Sequence, residues 1–161
     1  MIKVKSIRYY DRDFLAAIYH DELVFFGLKS QSINALKKDF PNESIVEADS
    51  GFELIEQQLY EYAQGLRKVF DIPLYISGTD FQKSVYDVLR EVKYNEVISY
   101  TELARRLGDE KKVMAVANAI GKNRHLILIP CHRIISKNGS LGGFSAGLDL
   151  KEVLLKHERS E

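Results

Sequence analysis

The segment that most constrains this fold is an apolar run at residues 127–129, which stops at Pro130 and is followed by Cys131, His132 and Arg133. Because proline lacks an N–H and has a fixed φ, it ends sheet pairing or confines it to an edge. We therefore expect a strand that gives way to a turn at the cysteine, where a thiol can face a pocket. In a tight or helical turn the Cys131 and His132 side chains diverge less than in a strand, and one water could bridge sulfur and imidazole.

Cys131 is the only cysteine in the chain. A lone cysteine excludes an intramolecular disulfide and a cysteine-based zinc cluster, and it suits a reducing compartment. Thiolate is the nucleophilic form of the side chain, and a neighbouring histidine or arginine lowers the thiol pKa from about 8.5. An isolated cysteine is most often a small buried hydrophobic residue. The flanking proline, histidine and arginine favour a reactive thiol instead.

Length and composition are those of an ordinary globular protein. The 161 residues allow one domain or two small ones, and 45% hydrophobic and 29% charged residues permit a sizeable core. No run approaches the roughly eighteen apolar residues that a membrane span needs, and charge interrupts the N-terminal segment too often for a signal peptide. We therefore expect a cytoplasmic protein that does not contact a membrane.

The formal net charge is +0, but it is unevenly distributed. Residues 1–77 contain nine Lys and Arg against twelve Asp and Glu, whereas residues 78–161 contain fourteen against eleven. Within the second part, residues 103–137 hold eight basic and only two acidic residues. Such a local basic stretch is what modest phosphate binding requires, although solvated helix surfaces have the same composition.

The first half of the chain has an α+β pattern. Runs rich in β-branched and aromatic residues predict strands over 2–10 and 14–19, joined in a hairpin, and a third strand over 23–28. Apolar periodicity predicts helices over 32–40 and 52–65. No histidines, cysteines and carboxylates cluster there at metal-ligand spacing. We expect a scaffold domain, residues 1–77, that binds no metal.

The second half, residues 78–161, is predicted to be mainly helical. A helix over 81–92, capped by Thr79 or Asp80, is followed by a short helix over 101–107 with Thr101 as its N-cap. A further helix over 109–121 follows after a glycine-containing turn, and this spacing is typical of a helix-turn-helix. An ordinary helical hairpin has the same spacing, so the pattern alone leaves both interpretations open.

Two later segments complete the second half. Residues 141–147 form a glycine-rich stretch with one aromatic residue, Phe144, and no Gly-Lys-Ser/Thr sequence. A loop wrapping a planar ligand fits it better than a phosphate cradle. A last helix over 149–158 is expected to place Val153, Leu154 and His157 on its core-facing side.

Together these segments resemble the O6-alkylguanine-DNA alkyltransferase family. The matching residues occur in order along residues 78–161: Gly78-Thr79-Asp80-Phe81-Gln82, Ser99-Tyr100, Asn123, Ile129 to Arg133, Ser145, Gly147-Leu148, Lys151-Glu152 and His157-Glu158. In residues 1–77 only the strand and helix pattern agrees. Several ordered motifs at matching spacing are more specific than the cysteine alone.

The resemblance implies an α+β fold with a small N-terminal antiparallel sheet flanked by helices. Its C-terminal domain would be mainly helical, contain a helix-turn-helix, and both bind DNA and accept the alkyl group. The implied activity is that of a single-turnover methylated-DNA–protein-cysteine S-methyltransferase without a cofactor. A monomer would flip O6-alkylguanine, and less readily O4-alkylthymine, out of double-stranded DNA and take the alkyl group onto its own cysteine.

The same resemblance implies five catalytic residues. Cys131 corresponds to the alkyl acceptor, and His132 to the histidine that relays the thiol proton through a water. Glu158 matches the carboxylate that orients and charges this histidine. Asn123 matches the asparagine that fixes the turn carrying the cysteine, and Tyr100 the tyrosine that helps rotate the nucleotide and protonates guanine N3.

Four residues of the substrate pocket follow from the same match. Phe144 stands where the family often has tyrosine, so stacking is kept and the hydroxyl is lost. The backbone N–H of Ser145 would bond the guanine oxygen, and the backbone of Ile134 would hold the base edge. Gly142, in the same glycine-rich loop as Phe144, completes this expected site.

The expected DNA contacts lie on the second helix of the pair and next to the cysteine. Met114 occupies the position where the family usually inserts an arginine into the gap left by the flipped base. Methionine can act as an apolar wedge but cannot donate hydrogen bonds, so Lys112 or Asn118 could assist. Ala115, which carries little bulk, would allow close approach to the groove, and Arg133 completes the expected contacts.

Three other functions are compatible with parts of the pattern. A non-catalytic alkyltransferase-like protein would bind lesions without repairing them, but such relatives replace the cysteine. A thiol hydrolase of another class would need an oxyanion hole and would leave the helix pair unexplained. A helix-turn-helix regulator would usually dimerise to bind a palindrome, and nothing in the sequence indicates a dimer interface.

Overall fold

The computed structural model describes residues 1–144 and 146–160. The chain divides into two compact units, Met1–Ser77 and Gly78–Glu161. A sheet with two helices forms the first unit and a largely helical arrangement the second, which confirms the α+β fold class. Within the described residues, no helix has the length and apolar character that a membrane crossing requires.

The sheet of the first unit has the strand order β3-β2-β1-β4. Its strands are β1 Ile2–Tyr9, β2 Arg12–Tyr19, β3 Glu22–Leu28 and β4 Ile45–Glu47. The first three are antiparallel and joined by two-residue turns, in which all four residues have positive φ, as the twist of a hairpin requires. β4 was not predicted. It pairs in parallel with β1, so the sheet is antiparallel-rich rather than purely antiparallel.

Helices cover both faces of this sheet. They are α1 Lys29–Asp39 and α2 Glu53–Ala63. On one face Leu15 and Ala17 of β2 pack with Leu36 of α1. On the other, the Tyr9 hydroxyl donates to the backbone oxygen of Leu59 in α2 at 2.6 Å. Successive residues of a strand point to opposite faces of the sheet. Because helices cover both faces, consecutive residues of β2 are buried.

In its described residues, the second unit contains four helices and one very short sheet. Its elements are α3 Asp80–Leu89, β5 Ile98–Ser99, α4 Tyr100–Arg106, a 3₁₀ turn Glu110–Lys112, α5 Val113–Gly121, a 3₁₀ turn Cys131–Arg133, β6 Ile134–Ile135 and α6 Leu148–Arg159. β5 and β6 pair in parallel. This pairing places the start of α4 next to the chain that leaves the cysteine turn.

Local capping determines where α3 and α4 begin. Thr79 and Gln82 form a capping box, in which each side chain accepts the backbone N–H of the other, so α3 starts where predicted. α4 begins earlier than predicted, because the Ser99 side chain accepts the Glu102 N–H at 3.0 Å. Ser99, not Thr101, is therefore its N-cap, and Tyr100 becomes the first helical residue.

Candidate active site

The apolar run before the cysteine is a series of tight turns, not the strand that the sequence predicts. Ile127 has a φ of 72°, in the left-handed region that β-branched residues rarely adopt. The Cys131 N–H donates to the carbonyl of Ile129 at 2.7 Å. Pro130, with φ −80° and ψ 63°, is the centre of this inverse γ-turn. The backbone therefore turns sharply just before the thiol.

A single buried side chain, that of Asn123, connects the two ends of this segment. Its Nδ2 lies 2.9 Å from the Ile129 carbonyl oxygen, 3.2 Å from that of His125 and 3.2 Å from the Cys131 sulfur. Its Oδ1 accepts the His125 N–H at 3.0 Å. In a sheet, these backbone groups would bond a neighbouring strand. Here the side-chain amide of Asn123 bonds them instead, so the apolar segment can be buried without regular secondary structure.

Cys131 is buried, with 2% of its surface exposed. Burial raises the pKa of its thiol to about 11, although the Asn123 hydrogen bond and the charge of Lys151 oppose this rise. The expected lowering of the pKa by the neighbouring His or Arg is therefore wrong. With this pKa, Cys131 is a thiol at neutral pH, and the Arg133 guanidinium bonds another partner.

That partner is Glu158, which α6 brings against the cysteine turn. One carboxylate oxygen accepts from Arg133 Nε at 2.9 Å and from the Asn95 N–H at 3.1 Å. The other accepts from Arg133 Nη2 at 3.0 Å and lies 2.7 Å from His132 Nε2. Burial raises the pKa of Glu158, but the hydrogen bonds from His132 and Arg133 and the charge of Arg133 outweigh it and hold the pKa well below its usual range.

The carboxylate determines the tautomer of His132. Because an ionised carboxylate only accepts hydrogen bonds, Nε2 carries the ring proton of the neutral imidazole and Nδ1 is the acceptor. Nδ1 is buried and has no hydrogen-bond partner among the residues that the structure describes. Burial lowers the pKa of His132, against the opposing effect of Glu158. His132 is thus a neutral base with its lone pair uncommitted.

A buried lysine organises the glycine-rich segment. The Lys151 ammonium donates to the carbonyls of Ile134, Leu141 and Gly143, the last at 3.2 Å. It also lies 6.0 Å above the ring of Tyr100, whose hydroxyl donates to the same Gly143 carbonyl at 3.3 Å. Burial lowers the pKa of Lys151 to about 8. The lysine therefore links α6 to the candidate pocket.

The role of Lys151 was not predicted from the sequence. The predicted core-facing side of the last helix was partly wrong, because Val153 is exposed. The side chains that α6 buries are Leu150, Lys151, Leu154, Leu155 and Glu158. The spacing of Lys151, Leu154, Leu155 and Glu158, at steps of three, four and seven residues, marks one helix face and could have identified the lysine.

The structure describes three of the four residues that were predicted to contact the substrate. Ile134 is buried, and its carbonyl bonds Lys151. Gly142 has a φ of 72° and faces the Tyr100 ring, whereas Phe144 is half-buried. Ser145 lies outside the described residues, so its expected hydrogen bond to guanine stays a prediction.

Four of the five residues expected to contact DNA lie together on the surface around α5. Met114 is 83% exposed, and Lys112, Ala115 and Asn118 are also exposed. The Lys112 ammonium lies 5.5 Å from the ring centroid of Phe81, which holds it beside the start of α5. The exposed face of α5 thus presents one long apolar side chain next to a small residue.

The fifth residue, Arg133, is not available to DNA, which corrects the prediction. Its guanidinium is buried, bonds Glu158 twice and donates from Nη1 to the Val92 carbonyl at 2.7 Å. The basic stretch is weaker than its composition indicates for a second reason. Arg105 and Arg106 form ion pairs with carboxylates of the same surface.

The predicted catalytic residues form three bonded sets in the second unit. Asn123 contacts the Cys131 sulfur, and His132, the next residue, bonds Glu158. Tyr100 shares the Gly143 carbonyl with Lys151. Burial raises the pKa of the Tyr100 hydroxyl, which keeps its proton available. In the described part of the chain, no group of three or more His, Cys, Asp or Glu side chains could hold a metal ion.

Sequence comparisons show which known proteins this chain resembles. Residues 80–160 match the family model described as 6-O-methylguanine DNA methyltransferase, DNA binding domain. The chain is 38% identical over 153 residues to the inducible methylated-DNA–protein-cysteine methyltransferase of Bacillus subtilis, covering 92% of this chain and 86% of that protein. It is 44% identical over 118 residues to the methylated-DNA–protein-cysteine methyltransferase of Methanosarcina acetivorans, covering 73% and 76%.

Solved structures resemble the fold over nearly its whole length. The crystal structure of Mycobacterium tuberculosis O6-methylguanine methyltransferase matches with a TM-score of 0.88 and 29% identity, covering 99% of this chain and 94% of that one. The structure of Mycobacterium tuberculosis OGT in complex with DNA matches equally well, at a TM-score of 0.88, 29% identity, and 98% and 93% coverage.

Proposed function

This chain belongs to the methylated-DNA–protein-cysteine methyltransferase family, and we propose that it repairs O6-alkylguanine in double-stranded DNA by transferring the alkyl group to Cys131. The observation that carries this proposal is the arrangement at the cysteine turn. A buried thiol bonded to Asn123 is followed directly by a neutral histidine, His132, that Glu158 holds with one ring nitrogen uncommitted.

The chemistry begins with removal of the thiol proton. We propose that a water between the two groups passes the Cys131 proton to Nδ1 of His132, while Nε2 remains bonded to Glu158. The sulfur then attacks the alkyl carbon, so that the S–C bond forms as the C–O6 bond breaks. Tyr100 donates a proton to guanine N3 as the base departs. One proton leaves the thiol and one reaches guanine, so the reaction is balanced once solvent returns the proton from His132 to Tyr100.

The burial of the Cys131 thiol supports a mechanism in which the thiol loses its proton only after the substrate is bound. With a pKa of about 11, Cys131 is protonated at neutral pH and reacts slowly with alkylating agents in solution. A positioned substrate and the histidine base are then both needed to generate the nucleophile. Because water does not readily cleave the resulting thioether, each molecule repairs one lesion.

DNA binding is proposed to involve the exposed surface of α5. An enzyme that reacts with a base in a duplex must first flip that nucleotide out of the stack, at a cost of a few kcal/mol. We propose that Met114, which is exposed on α5, acts as an apolar wedge between bases, and that Ala115 allows close approach to the groove. We propose that α4 and α5 act as a helix-turn-helix, and that the protein works as a monomer in the cytoplasm, where a lone cysteine stays reduced.

The direct test is the mass of the intact protein. After incubation with a duplex oligonucleotide containing one O6-methylguanine, we expect the protein to gain the mass of one methylene group on the peptide containing Cys131. Cys131→Ser should gain nothing, and an unmodified duplex should leave the wild-type mass unchanged. An unchanged wild-type mass with stable binding to the lesion would instead favour the non-catalytic, lesion-binding function.

A further inference from the structure

Arg133 is buried and donates hydrogen bonds from all three of its guanidinium nitrogens, and the proposed transfer does not use it. Its Nε and Nη2 bond the two Glu158 oxygens at 2.9 and 3.0 Å. Its Nη1 donates to the Val92 carbonyl at 2.7 Å, and its guanidinium lies 5.8 Å from the ring centroid of Tyr94. The Arg133 guanidinium thus forms a two-bond ion pair with the Glu158 carboxylate in a buried environment, where charges interact strongly.

The charged and titratable groups that face His132 come from two elements. Helix α6 supplies Glu158, which favours a charged imidazole, and the ammonium of Lys151, which disfavours it. The cysteine turn supplies Arg133, which also disfavours it, and the neutral Cys131 thiol. A backbone N–H from the loop before β5 completes the partners of the carboxylate. Arg133 is the cation that bonds Glu158 directly.

We propose that Arg133 is a positioning residue for the transfer, because its fixed charge neutralises Glu158 and lets this carboxylate orient His132 without protonating it. The inference rests on the proposed function. An imidazolium has no lone pair on either nitrogen and cannot accept the thiol proton. A buried carboxylate without a cation would draw a proton onto its nearest base, which is His132 at 2.7 Å. The arginine thus preserves the neutral base.

The first experiment measures the histidine itself, without DNA. The ¹⁵N chemical shifts of the His132 ring report its tautomer and its titration. In the wild type we expect a neutral Nε2–H ring at neutral pH, because burial lowers the His132 pKa. Arg133→Met should raise the His132 pKa by about one unit or more, which is the range that a nearby charge produces. Arg133→Lys, which keeps the charge, should resemble the wild type.

A His132 pKa in folded Arg133→Met that equals the wild-type pKa would overturn the proposal, wherever else the proton went. If circular dichroism shows that Arg133→Met does not fold, Arg133→Gln serves in its place. Glutamine can still donate to Glu158 or Val92 but carries no charge. The expected and contradicting results are the same for this variant.

The second experiment measures single-turnover methyl transfer from a saturating O6-methylguanine duplex between pH 6 and 9. The neutral variant should fall behind the wild type as pH decreases, by up to about tenfold for a one-unit rise in the His132 pKa, and should match it toward pH 9. Arg133→Lys should retain the wild-type profile. A uniform loss at every pH would indicate a purely structural role. Absence of transfer by the wild type would refute the proposed function, whereas the ¹⁵N titration would still test Arg133.

Discussion

Gly142 and the ring of Tyr100 are packed so closely that a side chain at position 142 would have to displace its neighbours. A β-carbon built on Gly142 would lie 3.0 Å from Cε2 of Tyr100 and 3.1 Å from both its hydroxyl and the Ser136 Oγ. The backbone φ of 72° also favours glycine. The glycine-rich segment therefore determines where the Tyr100 hydroxyl lies.

Gly142→Ala should slow methyl transfer by about tenfold or more, because moving Tyr100 even slightly misplaces its proton. Gly139→Ala is a matched control. Gly139 also has a left-handed φ, at 86°, but a β-carbon added there would meet no atom within 4 Å. Both variants should lose about 1–2 kcal/mol of stability from backbone strain. Equal transfer rates for the two in a single-turnover assay would contradict the role assigned to Gly142.

Lys151→Met should reduce the rate of transfer without weakening DNA binding. The substitution leaves the carbonyls of Ile134, Leu141 and Gly143 without their donor, so the pocket loosens while the α5 surface is unchanged. Single-turnover kinetics and DNA-binding measurements check the two effects. Lys156→Met, exposed on the same helix, should change neither the rate nor the affinity. An unchanged rate in Lys151→Met would contradict the role assigned to the ammonium.

Asn123→Ala should destabilise the protein by about 2–4 kcal/mol, because each buried group left without its hydrogen bond costs about 1–3 kcal/mol. Urea denaturation measures the loss. Asn118→Ala, on the exposed face of α5, is the control and should change stability by less than about 0.5 kcal/mol. A small loss for Asn123→Ala would mean that the turn around Ile127 holds its shape without this amide.

Glu158 should make stability depend on pH in acid. Its pKa is lowered in the folded protein, so its stabilising contribution is complete above the unfolded pKa of about 4.3 and is lost as pH falls toward the folded pKa. Below about pH 4.3 the advantage of the wild type over Glu158→Gln should shrink by roughly 1.4 kcal/mol per pH unit. Urea denaturation of both proteins at pH 7, 5 and 3.5 tests this. A constant difference would show that the carboxylate is not preferentially ionised in the fold.

Met114→Arg should raise DNA affinity or the repair rate, because a guanidinium can donate hydrogen bonds to the base left unpaired by flipping and methionine cannot. An added positive charge alone would also strengthen DNA binding. Leu54→Arg, on an exposed position of α2, adds the same charge elsewhere and separates the two effects. Rate and affinity that stay flat or drop in Met114→Arg would argue against insertion at this position.

Features with partners close in sequence could be predicted from the sequence alone. The capping box at Thr79, the hairpin strands and the helix periodicity depend on neighbours within a few residues. The spacing of the motifs around Cys131 was specific enough to identify the family. β4 was not predicted, because a strand of three residues that pairs in parallel with a distant strand has no distinctive local sequence pattern.

Only the tertiary structure decided the electrostatic environment of the thiol. In the sequence Arg133 is one more basic residue beside the cysteine, and its partner Glu158 is 25 residues away. Packing of α6 against the turn pairs these charges, buries Lys151, and leaves His132 neutral. The sequence determined which groups react, whereas burial and distant charges determined their protonation, because both depend on contacts that form only when the chain is folded.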